Sequence, residues 1–157
     1  MKLLIVCLGN ICRSPLAEGI LQEKLRGVQG SFEVDSAGTG GWHSGEQPDQ
    51  RSIKVARMNG IDISGQRARQ VTVDDFKRFD LIFAMDQNNY RNLLTAAAAS
   101  DHHKIHLFLE FAGLGPQDVP DPWYGDFSDF EAVYHLLDQS SNKVIQRIVD
   151  EYVDKQA

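Results

Sequence analysis

Cys7 and Arg13 stand at the two ends of a short loop, with five residues between them. If the loop curls around a tetrahedral anion, the sulfur of Cys7 lies at its floor and Arg13 folds over its rim. An arginine can bind two phosphate oxygens bidentately, which a lysine cannot do. Inward-facing N–H groups and the guanidinium would favour the nucleophilic thiolate form of Cys7. The spacing therefore predicts phosphoryl transfer to Cys7 and hydrolysis of a cysteinyl phosphate.

The residues around this loop predict a strand before it and a helix after it. Residues 3–6 are apolar and partly β-branched, as in a strand covered on both faces. Ser14 is a favourable helix N-cap, and Pro15 suits the first helical position. Gly9 permits close backbone approach, and Asn10 tolerates the left-handed region. A loop that enters a helix N-terminus presents N–H groups and a positive dipole end, so the sequence predicts an anion site there.

A cysteine at the end of a strand also has a plainer interpretation, since most such cysteines are small buried hydrophobic residues. The Cys-x5-Arg spacing alone is a weak pattern. The combination of a strand, Gly9-Asn10, the second cysteine Cys12 and an Arg-Ser-Pro helix start is much more specific. It favours the catalytic interpretation of Cys7.

Residues 6–15, VCLGNICRSP, closely resemble the signature loop of the low-molecular-weight protein tyrosine phosphatases. The resemblance spans nearly the whole chain and includes residues 35–39, 68–70, 85–86 and 121–123. It implies a single domain of this family over residues 1–157. It further implies a phosphocysteine intermediate on Cys7, a phosphate-binding Arg13 and a general acid at Asp121.

Asp121 also has the local features of a general acid. It lies in the turn-rich segment 113–126, and Pro122 biases it towards an extended conformation. From a loop above the anion site, its carboxyl could protonate the leaving oxygen and then activate water. The plainer interpretation is a turn residue, because Asp-Pro is common in loops. Asp118 and Asp126 are interpreted as solvated loop charges.

Three aromatic residues in loops, Trp42, Trp123 and Tyr124, are candidates for contact with substrate. The resemblance implies that Leu8, Trp42 and Trp123 flank the phosphoryl site and hold an aromatic ring. A deep cleft of this kind favours phosphotyrosine, whose phosphate stands farther from the backbone than that of phosphoserine. The expected substrate-binding residues are Leu8, Gly9, Asn10, Ile11, Cys12, Ser14, Trp42, Trp123 and Tyr124.

Further residues are expected to support the loop. Cys12 is either a small buried residue or a thiol that captures oxidised Cys7 as a disulfide before sulfinic acid forms; the resemblance favours the second. In the family a His and an Asp support the loop asparagine, here Asn10. Asp86 matches that Asp, and Gln66 stands at the position of the His. Asp49 and Arg51 are expected to form an ion pair beside the site.

Composition limits the partners. The net charge of −6 argues against general binding to nucleic acid or anionic membranes. No stretch has membrane-spanning length, the N-terminal apolar run is too short for a signal peptide, and two cysteines suit a reducing compartment. We therefore expect a cytoplasmic, monomeric protein that acts on tyrosine-phosphorylated proteins. The histidines in residues 101–106 do not have convincing metal-ligand spacing, so neither a metal nor another cofactor is expected.

The remaining pattern alternates between strands and helices. Strands are predicted near residues 3–6, 32–36, 80–85 and 104–108. Helices are predicted from Ser14, over 48–58, over 86–98 with Asp86 as its cap, and from Ser128, with Glu131 completing a capping box; residues 72–76 form a short capped turn. The order predicts a three-layer α/β fold with a central four-stranded parallel sheet flanked by helices. The phosphate-binding loop follows the first strand, at a carboxyl end where such sheets bind ligands.

Three alternatives to a tyrosine phosphatase remain open. An arsenate reductase can share this fold and loop, but it typically needs more cysteines than Cys7 and Cys12. A protein arginine phosphatase of the same family commonly has Thr where this chain has Ile11, and the bulkier Ile favours tyrosine. A noncatalytic phosphate-binding or redox-sensing module is disfavoured because Cys7, Arg13 and Asp121 occur together.

Overall fold

Four parallel strands form the centre of the computed structural model, which describes residues 1–153. They are β1 (Lys2–Cys7), β2 (Glu33–Gly38), β3 (Leu81–Ala84) and β4 (Ile105–Leu107), arranged in the order β2-β1-β3-β4. The predicted four-stranded parallel sheet is therefore confirmed. Because β1 lies between β2 and β3, Cys7 emerges beside Gly38 of β2, and Val6 pairs with Ala84 of β3.

Helices cover both faces of the sheet. They are α1 (Arg13–Leu25), α2 (Gln50–Met58), α3 (Asp75–Arg78), α4 (Gln87–Ala96), α5 (Phe108–Phe111) and α6 (Phe127–Ile148). Strand side chains alternate between faces, so Leu3 and Ile5 pack in the core that contains α1, α2 and α6. Leu4 and Val6 pack in the smaller core formed with α3 and α4. The predicted three layers follow from these two cores.

The start of α1 differs from the prediction. The helix begins at Arg13, with Cys12 at the N-cap position and no side-chain capping bond, so Ser14 is not the cap and Pro15 is not the first helical residue. Pro15 still lies in the first turn, where no intrahelical partner is needed for an N–H group. The hydroxyl of Ser14 contacts Cys7 and Asn10. The Ser14 hydroxyl therefore makes its contacts with the loop that precedes the helix and does not cap the helix.

The start of α6 also differs. Asp126 caps the helix by accepting a hydrogen bond from the Ser128 N–H, and Asp129 closes the capping box by accepting from the Asp126 N–H at 3.0 Å. The predicted box of Ser128 and Glu131 was wrong, because an acidic residue two positions earlier takes the cap position. The apolar side of α6 is buried, and it includes Phe130, Val133, Tyr134, Leu137, Val144 and Ile148.

Other boundaries move by a few residues. Asp86 caps α4 as predicted, accepting from the Asn89 N–H at 2.8 Å, but α4 ends before the predicted residue 98. A 3-10 helix, Ala99–Lys104, and the short α5 were not predicted. Within residues 1–153, no helix combines the length and apolar character needed to cross a membrane. The end of the predicted 1–157 domain, residues 154–157, lies outside the described residues.

Candidate active site

The sulfur of Cys7 lies at the floor of the loop between β1 and α1. The side chain is only 3 % exposed. Its Sγ atom accepts a hydrogen bond from the backbone N–H of Asn10 at 3.3 Å and lies 3.0 Å from the hydroxyl oxygen of Ser14. The N-terminus of α1, a helix of thirteen residues, begins just beyond the loop. Its positive dipole end favours an anion at this position.

The outer side of the loop is tied to the rest of the protein through its carbonyl groups. The carbonyls of Cys7, Leu8, Ile11 and Cys12 accept hydrogen bonds from Thr39 N, Gly40 N, Asp49 N and Ser52 Oγ at 2.9, 2.9, 2.8 and 3.3 Å, respectively. In a trans peptide the N–H of the next residue points away from the carbonyl. These outward carbonyls therefore turn the following N–H groups towards the inside of the loop, where an anion can accept from them.

Gly38 allows β2 to pass close behind the loop. A Cβ atom at this position would lie 2.8 Å from the Leu8 carbonyl oxygen and 2.9 Å from that of Gly40. Either contact would push the loop away from the strand. The glycine thus maintains the short hydrogen bonds that orient the loop carbonyls.

The Asn10 side chain supports the loop from the protein interior and does not line the cleft. It adopts a φ of 58°, in the left-handed region that the sequence predicted. Its amide donates to Ser14 Oγ at 2.8 Å and Ser36 Oγ at 2.9 Å, and its Oδ1 accepts from the Arg69 N–H at 3.0 Å. Asn10 and Ser14 are both buried. Their side chains support the loop instead of lining the cleft.

The expected partners of Asn10 were wrong. Asp86 binds Arg13, and Gln66 donates through Nε2 to the Pro15 carbonyl at 3.1 Å. Ser36 occupies the supporting position because β2 lies directly beside β1. The neighbouring strand therefore supplies the hydroxyl that accepts from the Asn10 amide.

Sequence reasoning missed Glu18, which ends this chain of hydrogen bonds. The Ser36 hydroxyl donates to Glu18 Oε1 at 2.8 Å. Ser36 therefore accepts from Asn10, and Ser14 likewise accepts from Asn10. The hydrogen of the Ser14 hydroxyl is left to point at the sulfur of Cys7. The only sequence signal was a lone carboxyl within the otherwise uncharged run of residues 16–21. Burial raises the pKa of Glu18 to about 7.

Two hydrogen bonds fix the guanidinium of Arg13 in the lining of the cleft. Its Nη1 donates to Asp86 Oδ2 at 2.8 Å and to the Val119 carbonyl at 3.0 Å, while Nη2 lies 3.6 Å from Asp121 Oδ2. Burial disfavours the cation, but the charge of Cys7 and the Asp86 hydrogen bond outweigh burial and raise the pKa of Arg13. The guanidinium therefore has a fixed orientation and a permanent charge beside the loop.

Asp121 lies on the loop above Cys7 and is partly exposed. Its Oδ1 accepts from the Trp123 N–H at 3.1 Å, and its other oxygen faces Arg13. Asp118 and Asp126 are exposed and do not line the cleft. Asp118 accepts from the Gln87 N–H at 2.9 Å, and Asp126 caps α6. Among the three candidates, the structure brings Asp121 alone to the loop cysteine and arginine.

Arg51 anchors the loop that carries Asp121. Its guanidinium donates to the carbonyls of Trp123 and Gly125, each at 3.3 Å, and lies 4.3 Å from the Phe130 ring centroid. The expected ion pair with Asp49 is present, with Nη2 and Oδ2 separated by 3.0 Å. Burial opposes ionisation of Asp49, but the Arg51 hydrogen bonds outweigh it and lower the carboxyl pKa. The pair thereby connects α2 to the Asp121 loop.

The predicted rim residues surround the cleft. The lining residues are Cys7, Leu8, Gly9, Ile11, Cys12, Arg13, Trp42, His43, Asp121, Trp123 and Tyr124. Trp42 is 73 % exposed and Tyr124 93 %, so large aromatic faces are open to a ligand. His43 was not among the expected site residues. It pairs with Glu46, and its ring centroid lies 6.0 Å from that of Trp123.

Cys12 forms part of the cleft wall and is almost fully buried. Burial raises the pKa of its thiol, and the Asp49 carboxylate raises it further. Neither Cys7 nor Cys12 is in a disulfide in the structure. Cys12 therefore presents a protonated thiol near the nucleophile position.

The candidate metal residues near position 101 have other partners. Asp101 binds Lys77 at 2.7 Å and Lys104 at 3.5 Å, and His102 Nε2 contacts the Leu94 carbonyl at 2.8 Å. Across residues 1–153 no group of three His, Cys, Asp or Glu side chains has a geometry that could hold a metal ion.

Comparison with known proteins identifies one family over nearly the whole chain. The family model described as "Low molecular weight phosphotyrosine protein phosphatase" matches residues 2–155. A protein of that name from Schizosaccharomyces pombe is 42 % identical, with 90 % of this chain and 94 % of the relative covered. A crystal structure of a protein tyrosine phosphatase from Entamoeba histolytica, with Hepes in the active site, is 38 % identical. Its TM-score is 0.90, and 96 % of this chain and 97 % of that chain are covered.

A second solved structure is Wzb from Vibrio vulnificus in complex with benzylphosphonate. It is 30 % identical with a TM-score of 0.83, covering 93 % of this chain and 97 % of that chain. The family match covers nearly all of the chain, and the folds agree over the same length. The chain belongs to the low molecular weight phosphotyrosine protein phosphatase family.

Proposed function

We propose that this protein hydrolyses phosphotyrosine in proteins, and small aryl phosphates, through a phosphocysteine on Cys7. The observation that carries the proposal is the position of the Arg13 guanidinium. It lies at the loop that begins at Cys7 and 3.6 Å from the carboxyl of Asp121. A nucleophile, an anion-binding group and a proton donor thus share one cleft. The membership in a family of cysteine-dependent tyrosine phosphatases supports the same reaction.

In the first step, the Cys7 thiolate attacks phosphorus and the bond from phosphorus to the tyrosine oxygen breaks. The inward N–H groups of the loop and the Arg13 guanidinium bind the oxygens of the transferring phosphoryl group. Asp121 gives its proton to the departing tyrosine oxygen, so a neutral phenol leaves. The products of this step are tyrosine and a phosphoryl group on Cys7.

In the second step, the Asp121 carboxylate takes a proton from a water molecule that attacks phosphorus. The bond from sulfur to phosphorus breaks, inorganic phosphate forms and Cys7 leaves as a thiolate. The Ser14 hydroxyl and the Asn10 N–H both face the sulfur, so they can stabilise its returning negative charge. Neither step uses a metal or another cofactor.

The rim supports an aromatic substrate. Leu8, Trp42 and Trp123 place exposed apolar surface around the entrance. A benzylphosphonate, such as the ligand of the Wzb structure, carries a phosphorus group beside an aromatic ring. Ile11 lines the cleft. Its side chain is bulkier than the Thr common in arginine phosphatases of this family, which favours a tyrosine phosphatase over an arginine phosphatase. The chain has only two cysteines, which disfavours an arsenate reductase.

We further infer that residues 1–157 act as one catalytic domain, as a monomer in the cytoplasm, on tyrosine-phosphorylated proteins. The family match over residues 2–155 supports the domain assignment. The net charge of −6 argues against nucleic-acid and anionic-membrane partners. Cys12 is proposed as the thiol that captures oxidised Cys7, which makes the enzyme redox-regulated.

The direct test is phosphate release from phosphotyrosine, phosphoserine and phosphoarginine peptides, with reductant and without metal. We expect turnover of phosphotyrosine that disappears in Cys7→Ser. Asp121→Asn should lower kcat by about 10²–10⁴-fold, because it removes the proton donor. Wild-type protein that is reduced and folded but releases no phosphate from any substrate would overturn the proposal. Preferential turnover of phosphoarginine would instead establish the arginine phosphatase alternative.

A further inference from the structure

A second groove runs beside the catalytic cleft and shares a wall with it. Leu8 and Trp42 line both the cleft and the groove. Beyond that wall, the groove is lined by Val71, Val73, Phe76 of α3 and Leu93 of α4, among others. It is therefore continuous with the place where a phosphotyrosine ring would enter.

The lining of the groove is mainly apolar, and its polar side chains, Thr39, Gln70, Thr72 and Asn92, are all uncharged. None of its lining side chains is an acid or a base, although the protein carries 22 acidic and 16 basic residues. Val73 is 74 % exposed, so this apolar surface is open to solvent. A contiguous exposed apolar area marks a binding surface more often than an isolated exposed side chain does.

The distribution of exposed apolar side chains over the described residues points to the same area. Six large apolar side chains are exposed there: Leu8, Trp42, Met58, Val73, Trp123 and Tyr124. All except Met58 line the cleft or the groove. The exposed apolar surface is thus concentrated in one strip that extends from the catalytic loop to Val73.

We propose that the groove binds an apolar side chain that lies within a few residues of the phosphotyrosine in the substrate protein. The proposal rests on the proposed function, since the ring of the phosphotyrosine must first occupy the cleft. A substrate chain that leaves the cleft across the Leu8–Trp42 wall reaches the groove without crossing a charged surface. An acidic or basic side chain would lose hydration there without gaining an oppositely charged partner from the groove lining.

The test compares peptides that differ at one position with a substrate that is too small to reach the groove. Phosphotyrosine peptides carry Leu, Ala, Asp or Lys at each of the positions flanking the phosphotyrosine, and para-nitrophenyl phosphate reports the cleft alone. At one flanking position, wild-type protein should prefer Leu over Asp and over Lys by about tenfold in kcat/KM, the effect of burying one apolar side chain.

Two variants at Val73, which lines the groove but not the catalytic cleft, locate the effect. Val73→Asp and Val73→Lys should each lower the ratio of kcat/KM for the Leu peptide to that for the aryl phosphate by about fivefold or more. Asp and Lys at this position should both lower the ratio, because each replaces an apolar contact with the substrate side chain, whatever the sign of its charge. Met58→Asp is the matched control, since Met58 is also exposed but lies on α2, outside the strip. It should leave this ratio unchanged.

Three results would overturn the proposal. Wild-type protein could show no preference for an apolar side chain at any position, or Met58→Asp could lower the ratio as much as the Val73 variants. The protein could also dimerise in sedimentation experiments and become monomeric with Val73→Asp, which would make the groove a contact between copies. Hydrolysis of para-nitrophenyl phosphate distinguishes these results from a failure of the proposed function, which would abolish that turnover too.

Discussion

The hydroxyl of Ser36 donates a 2.8 Å hydrogen bond to the carboxyl of Glu18, and that bond sets the direction of every donor between Glu18 and Cys7. Glu18 is 7 % exposed. A carboxyl that is buried while it accepts hydrogen bonds can hold the network in one arrangement, but its ionised form carries a desolvation cost. The support of the nucleophile is therefore coupled to the protonation of a group outside the cleft.

Replacing Glu18 by Gln should remove a pH-dependent part of the stability. Burial raises the pKa of Glu18 from 4.5 to about 7, so between these values the folded protein keeps a proton that the unfolded chain has released. The stabilisation is complete below about pH 4.5 and is lost as the pH rises through 7. The shift corresponds to about 3 kcal/mol.

Urea unfolding of wild type and Glu18→Gln at pH 4.5 and pH 8 measures this effect. The free energy of unfolding of the variant, minus that of wild type, should rise by up to about 3 kcal/mol between the two pH values. Other carboxyls titrate equally in both proteins and cancel in the difference. A difference that does not change with pH would show that Glu18 has no raised pKa.

Ser14→Ala should slow the second chemical step more than the first. The Ser14 hydroxyl lies 3.0 Å from the sulfur of Cys7 and has its hydrogen free for it, because its oxygen accepts from Asn10. Loss of one such donor to a developing negative charge costs about 10²-fold in rate. A burst of phenol release equal to the enzyme concentration, followed by slow turnover, should appear in rapid-mixing experiments. Equal slowing of both steps, without a burst, would contradict this role.

Asp86→Asn should weaken phosphate binding while it preserves the fold. Asp86 accepts from Arg13 through one oxygen and caps α4 through the other. Asparagine caps helices as well as aspartate does, but it has a single acceptor oxygen and no charge for the guanidinium. The inhibition constant of inorganic phosphate should rise by about tenfold, the effect of one charged hydrogen bond.

Asp118→Asn is the control for that experiment. Asp118 accepts from Gln87 N at the same end of α4 but makes no contact with Arg13 among the described residues. Its replacement should leave the inhibition constant unchanged. If both variants weaken phosphate binding equally, the effect comes from the start of α4 and not from the orientation of Arg13.

The capture of oxidised Cys7 by Cys12 should accelerate as the pH rises. Burial and the Asp49 carboxylate raise the pKa of the Cys12 thiol, and the thiolate is the form that attacks an oxidised sulfur. After a short exposure to peroxide, the rate of disulfide formation should increase by roughly tenfold per pH unit between pH 7 and 9. Mass spectrometry of non-reduced peptides follows the disulfide. Cys12→Ser should form none and should lose activity that reductant does not restore.

Local sequence patterns were sufficient for the frame of the site. An apolar β-branched run, a loop with Gly9 and Asn10 and a helix start near Arg13 depend on backbone preferences within a few residues. The strand, loop and helix around Cys7 could therefore be predicted. The alternation of strands and helices likewise identified the parallel sheet. The helix caps were less predictable. The Ser14 hydroxyl contacts Cys7 and Asn10 instead of capping α1, and Asp126 takes the cap position that was expected for Ser128.

The tertiary structure alone decided which distant side chains support the reacting groups. Arg13 and Asp86 are 73 residues apart, and the Val119 carbonyl that also binds Arg13 is 106 residues away. Ser36 reaches Asn10 because β2 lies beside β1, and Glu18 becomes buried because α1 packs against that strand. The sequence determined the chemical groups and the local backbone that carries them. The strand order and helix packing determined which of these groups face each other, because contacts between distant residues depend on the tertiary arrangement and not on any local sequence pattern.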